Sequence, residues 1–319
     1  MKPAFRVWTD DRDLTSEIAK RLIGITVKDR AGVADDSLQI VLRDKPPIAL
    51  PKPGIILHVA LGYEDRLVQV GSFAIKPVSL KIDPAELSIE GSAADQYGAL
   101  MNQRERSWKS RSLKAIVDAI AKEHGLEPSV SKAFASITIS HEDQTESDMA
   151  FLTRLAKRHD AIFKIQMKKL GFLRRGRGES ASGKKIEPYK ITEARNIAFK
   201  TDTASKYTGV RAHYWNSRHT RRKSIVIGKE GSLHDLRYCL KDESTAREAA
   251  NAKFREIKRR SSTLSFEVPG TLEIYAEREL DISGFRAEVD GIWIVSEVEY
   301  AQNGSGFIDK VTCERKIDE

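Results

Sequence analysis

Residues 140–165, SHEDQTESDMAFLTRLAKRHDAIFKI, constrain the fold of this chain more than any other segment, because a polar loop, an amphipathic helix and a short apolar strand follow without a gap. Thr145 and Asp148 stand at the capping-box spacing, with Asp in place of the usual Glu. Thr145 is therefore placed to accept from the orphan amides of a helix start, with Ser147 as the alternative cap, and Asp148 complements the helix dipole. Phe151, Leu152, Leu155 and Ala156 fall on one face, while Arg154, Lys157 and Arg158 stay on the wet side. The spacing predicts a helix over 146–159, with Phe151, Leu152 and Leu155 buried against neighbouring strands.

On either side of this segment the apolar period is two. Ile55, Leu57, Val59 and Leu61 alternate with Ile56, His58 and Ala60, as in a strand of a small barrel or sandwich. The prolines at 46, 47, 51 and 53 keep 45–54 out of a central strand. Gly71-x-Phe73-x-Ile75-x-x-Val78 and Gly291-x-Trp293-x-Val295-x-x-Val298 share one spacing, which we read as two related barrels with Phe73 and Trp293 in equivalent places. Between them the period becomes 3.6. Leu113, Ile116, Val117, Ile120 and Ala121 form a stripe, with Ser112 as the N-cap and Gly125 as the C′ residue. Residues 168–185 read as a strand, an exposed Gly/Ser-rich turn and a return strand. A further helix over about 244–258 buries Ala246, Ala249, Ala250 and Phe254, and its small-residue face suits packing against a barrel.

A chain of 319 residues is too long for one ordinary core. The expected fold is α+β, with two tube-like β-barrels and an α/β insert between them: 1–95 the first barrel, 96–190 the insert, 191–319 the second barrel region. No apolar run reaches the length of a membrane span, and the N-terminus lacks the apolar region of a signal peptide, so a cytoplasmic protein without a membrane anchor is expected. Cys239, in an apparent loop, and Cys313, in a strand, have no CxxC partner and read as buried free thiols.

The pattern does not favour an enzyme. Gly178-Glu-Ser180-Ala-Ser182-Gly183 misses the Gly-x-Ser-x-Gly spacing of a nucleophile elbow, and no apolar strand leads into it. The seven histidines include no HExxH and no i, i+4 pair, and His58 reads as a strand residue. Asp11-x-Asp13 lacks the later Gly and Glu of a calcium loop. Gly176-x-Gly178 lacks the Lys and the helix of a phosphate loop. No cofactor or metal is expected. The net charge of +8 is gathered at Arg174, Arg175, Arg177, at Arg218, Arg221, Arg222, Lys223, and at Arg255, Lys258, Arg259, Arg260. A nucleic-acid-binding regulator is the alternative this raises. Separate elements, abundant acids and the absence of a stacking or helix-turn-helix pattern favour solvated loops and matching to acidic partner subunits.

The order Gln144-x-Glu146-Ser147-Asp148-x-x-Phe151-Leu152-x-Arg154-Leu155-Ala156 resembles the phage late control D protein family, the baseplate hub proteins of contractile tails; VgrG spike proteins of type VI secretion look similar here. The resemblance extends to Asp13-Leu14-Thr15, residues 22–29, Ala34-Asp35-Asp36-Ser37-Leu38, Leu50-Pro51-Lys52-Pro53-Gly54, Leu61-Gly62-Tyr63 and Gly71-Ser72-Phe73. Trp108, Leu113, Ile116-Val117, Ile120-Ala121 and His124-Gly125-Leu126 resemble the helix before the signature, and residues 291–295 the closing strands. Residues 166–235 carry no aligned motif. The resemblance implies a non-enzymatic homotrimer that joins a hexameric tail tube to a trimeric central spike. Tape measure protein and other baseplate subunits are implied as further contacts, with assembly in the bacterial host cytoplasm before the hub takes its place at the virion tail tip. Infectious phage, prophage and bacteriocin-like tail are all compatible. The chain ends without the long C-terminal extension of a VgrG, which points to the phage-type hub.

Overall fold

Period-two alternation turns most of this chain into strands. The computed structural model describes residues 2–32, 36–93, 95–166, 168–176, 178, 184–202, 206–216 and 221–317. The first region holds β1 (Pro3–Trp8), the short helix α1 (Thr15–Ala19), β2 (Leu22–Arg30), β3 (Ser37–Arg43), β4 (Ile56–Tyr63), β5 (Arg66–Ile75), β6 (Ser79–Lys81) and β7 (Glu86–Ser92). Then come β8 (Arg106–Ser112), α2 (Leu113–Glu123), β9 (Glu127–Val130), β10 (Thr138–Gln144), α3 (Asp148–Arg158), β11 (Ala161–Gln166) and β12 (Lys169–Arg174). The last region holds β13 (Tyr189–Ile191), β14 (Arg195–Thr201), β15 (Gly209–Asn216), β16 (Arg221–Gly228), β17 (Leu233–Leu240), α4 (Glu243–Arg259), β18 (Ser262–Pro269), β19 (Glu279–Ile282), β20 (Gly291–Asn303) and β21 (Gly306–Arg315).

Both ends of the sequence build one sheet, ordered β1-β4-β5-β7-β3-β2-β20-β21-β18-β14, with β6 on β7 and β13 joined through β19 to β20. The seam between the two regions is β2 against β20, antiparallel from Gly24–Asn303 to Arg30–Glu297. The fold is therefore mostly β. Among the described residues the two outermost strands, β1 and β14, do not pair with each other to close a barrel. A single core lies under the sheet, drawing Ile25, Leu61 and Phe73 from the first region and Phe266, Trp293 and Val298 from the last.

Phe73 and Trp293 are both completely buried in that core. Phe73 sits between two glycines: a Cβ on Gly71 would fall 2.5 Å from its ring, and one on Gly91 2.9 Å from its Cβ. Trp293 donates its indole N–H to the Val289 carbonyl at 2.7 Å, which satisfies the ring's one polar atom. The Gly291 Cβ position is empty, but its φ of +128° is a conformation that side chains resist.

The middle region has its own core of α2 and α3 against β9, β11 and β12, with β8 and β10 alongside. Helix α2 begins and ends as its sequence predicts. Ser112 accepts from the Ala115 amide at 3.1 Å, and beyond the C-terminus Gly125, at φ +64°, lets the Leu126 amide reach the Ala121 carbonyl at 2.8 Å. A third core joins α4 to the sheet β16-β15-β17, so the small-residue face of Ala246, Ala249 and Ala250 packs on three strands of its own rather than on a barrel.

Several local expectations change. Trp108 lies on strand β8 rather than on the helix, which starts only at Leu113. Cys239 is on β17 and exposed; Cys313 is buried on β21, and both are free. Strand β12 lies between β11 and β9, and among the described residues no return strand pairs with it; the chain runs on to β13, which pairs in parallel with β19. The serines of the failed elbow, Arg177, Arg218, Ala34 and Asp35 lie outside the described residues. Among the described residues no helix is long and apolar enough to cross a membrane.

Candidate functional site

The residues singled out in 140–165 meet around one buried carboxylate. Helix α3 starts at Asp148, two residues later than a Thr145 cap requires, and Ser147 is its N-cap, accepting from the Ala150 amide at 3.2 Å. Thr145 makes no cap. Asp148, with no exposed surface, accepts from Gln144 Nε2 at 2.7 Å, from His124 Nε2 at 2.8 Å and from Arg106, with Arg104 Nε at 3.2 Å. Burial alone would push this carboxyl up; the bonds from Gln144 and His124 and the charges of Arg106 and Arg104 outweigh it and hold Asp148 below the usual carboxylate range.

Gln144 shows why an amide stands beside it. Its oxygen accepts from Arg106 Nε at 2.9 Å and Trp108 Nε1 at 3.1 Å, and its nitrogen donates to Asp148 and, at 3.2 Å, to the Glu146 carbonyl. A carboxylate could not donate, and a shorter side chain would not span the gap. Glu146 takes Arg154 Nε at 2.7 Å, while Arg154 also reaches Glu142 and the Asp143 carbonyl. Arg158 bonds Glu142 at 2.6 Å. The two arginines expected in free solvent are thus held by carboxylates of the preceding strand and loop.

Beneath this polar layer Phe151, Leu152 and Leu155 are fully buried, and the Phe151 ring stacks on Trp108 at 6.2 Å between centroids. The signature residues are brought together, and they bind β8, β10, α2 and α3 to one another. Sequence reading missed Arg106 and Glu142 as partners, although two uncommon features, a Glu in mid-strand and an Arg two residues before a Trp, mark them. Among the described residues no cluster of His, Cys, Asp or Glu is placed to hold a metal ion.

The basic clusters are divided between elements and partly neutralised. Arg175 pairs with Glu277 and, at 3.3 Å, with Glu314; Arg259, almost fully buried, grips Asp160, one contact at 3.0 Å. Glu277, mostly buried, is pushed up to about 7 by burial, which the charge of Arg175 only partly offsets. Lys164 reaches from β11 to Asp29 and, at 2.9 Å, to Asp36, so the middle region meets the large sheet through ion pairs. Arg221, Arg222 and Lys223 stay on the separate strand β16.

Residues 87–305 match the phage tail baseplate hub (GPD) family. A probable baseplate hub protein of Escherichia phage P2 is 30% identical over 366 aligned positions, covering 100% of this chain and 95% of that protein. Among solved structures, a tail protein from Neisseria meningitidis MC58 has a TM-score of 0.74 at 11% identity, covering 99% of this chain and 97% of that one. The E. coli c3393 protein, a component of the type VI secretion system, has a TM-score of 0.61 at 10% identity, covering 94% and 74%. At such low identities the structural likeness speaks for the fold.

Proposed function

The chain belongs to the phage tail baseplate hub family and is a baseplate hub of a phage tail, and from that premise we propose that it acts as a homotrimeric adaptor in a contractile tail. One face of the trimer meets the hexameric tail tube and the other the trimeric central spike. In this reading 1–95 and 191–319 each supply a tube-like barrel and 96–190 is the insert, so that three chains present six similar units. The observation that supports it is that each end of the chain supplies its own run of neighbouring antiparallel strands to the large sheet, β1-β4-β5-β7-β3-β2 from the first region and β20-β21-β18-β14 from the last. The role is mechanical rather than catalytic: the hub holds the spike until contraction drives the tube forward. Gln144, Glu146, Ser147, Asp148, Phe151, Leu152, Arg154 and Leu155 serve it as internal scaffolding, fixing the insert rather than touching a partner. Assembly takes place in the host cytoplasm, with tape measure protein and other baseplate subunits as neighbours.

Immunogold electron microscopy of assembled particles tests the placement. Label is expected at the tail tip, next to the end of the tube; label along the sheath or on free DNA would refute the adaptor role.

A further inference from the structure

A cavity of about 590 Å³ opens where the end of α3, the end of β12, helix α4 and the chain after β21 converge. We propose that it is a docking site for an acidic peptide segment of a partner subunit. Among the described residues six cationic residues line it, including Arg174, Lys185 and Arg255, against one carboxylate, Asp160. Glu277, Glu279 and Glu314 behind the lining pair with Arg175 and Lys316. Among the described residues, six positive charges against these four carboxylates leave an excess of two. Arg174 and Lys185, both exposed, have no charged partner among the described residues, so the surplus lies at the accessible rim.

The deeper wall shows which anion suits the site. There the guanidinium groups of Arg175 and Arg259 are already met by carboxylates of the chain itself, so carboxylate geometry fits these donors. The buried Arg259 Nε still lacks a hydrogen-bond partner among the described residues. Ile137, Phe254 and Ile294 add apolar surface. A cavity of this size has room for roughly twenty waters, far more than a single phosphate needs. Charge at the rim, apolar walls and this volume together select a short peptide that carries both carboxylates and an apolar side chain. That the peptide comes from a partner subunit rests on the hub reading; the binding chemistry does not, and it is measured on the isolated chain.

The test is fluorescence polarisation with a fluorescein-labelled Glu-Glu-Leu-Glu-Glu peptide at fixed ionic strength. Saturable one-to-one binding is expected, weakened at least about tenfold in the triple variant Arg174→Ala, Lys185→Ala, Arg255→Ala. The same affinity is expected in Arg221→Ala, Arg222→Ala, whose charges lie on another sheet. All three rim residues are at least partly exposed, and a thermal melt establishes that the triple variant is folded. Absence of saturable binding, equal loss in both variants, equal binding of the Gln-Gln-Leu-Gln-Gln peptide, or uptake of tripolyphosphate in place of the peptide would each overturn the proposal.

Discussion

Gly71 and Gly291 occupy matching places in the two Gly-x-aromatic spacings, and different constraints hold them there. Gly71 leaves room for the Phe73 ring, whereas Gly291 has open space and a positive φ. Gly71→Ala should therefore cost about 1–3 kcal/mol through overpacking, and Phe73→Leu in the same chain should relieve much of it. Gly291→Ala should cost a similar amount through backbone strain, with no relief from Trp293→Phe. Denaturant midpoints of the two double-mutant cycles decide; equal coupling at both sites would refute the distinction. A shared spacing can be read from sequence, but not whether a glycine supplies room or torsion. Asp309 gives a second residue-scale prediction. It lies without exposed surface on β21, accepts from the Thr271 amide at 2.9 Å, and burial pushes it up to about 7. A carboxyl raised on folding stabilises most below its unfolded value, roughly 4, and that contribution is lost as pH rises towards 7. Asp309→Asn should flatten this part of the stability profile in urea titrations; an unchanged pH slope would show that Asp309 does not titrate there.

At the scale of the element, helices were legible and their polar partners were not. The stripe of α2, its Ser112 cap and Gly125 follow from nearest-neighbour chemistry, and so does the buried face of α3. The start of α3 moved from Thr145 to Ser147 because Gln144 and Glu146 are held in the network before the helix begins. That network joins residues as far apart in sequence as Arg104 and Asp148, and no periodicity reports such pairs. The exposed position of Cys239 and the separate three-stranded sheet under α4 likewise depend on pairing across sequence, including the parallel match of β15 with β17. Phe151→Ala should cost about 3–5 kcal/mol, since the ring is fully buried on Trp108. Asp148→Asn should also cost about 3–5 kcal/mol, because it leaves Arg106 and Arg104 beside a neutral group. Chemical denaturation measures both; a loss under about 1 kcal/mol in either would remove that residue from the scaffold.

At the scale of the whole molecule, the two β regions were visible as alternation on either side of a helical middle, but their union was not. The seam of β2 on β20 brings together residues from opposite ends of the sequence, and only register reveals it. A hub that carries a spike through an envelope has to resist shear, so its protomer contacts should bury on the order of 2,000 Å² or more. Threefold closure requires heterologous contacts, one face of each chain on a different face of the next, and the outer edge of β14, on which no strand pairs among the described residues, is available for them. The most direct test is the mass of the purified chain in solution, by light scattering or native mass spectrometry, alone and with its spike protein. Three copies of this chain bound to the trimeric spike are predicted, whether or not the ring persists without it. A strictly monomeric chain that binds no spike, yet binds duplex DNA with a steep salt dependence, would contradict the adaptor account.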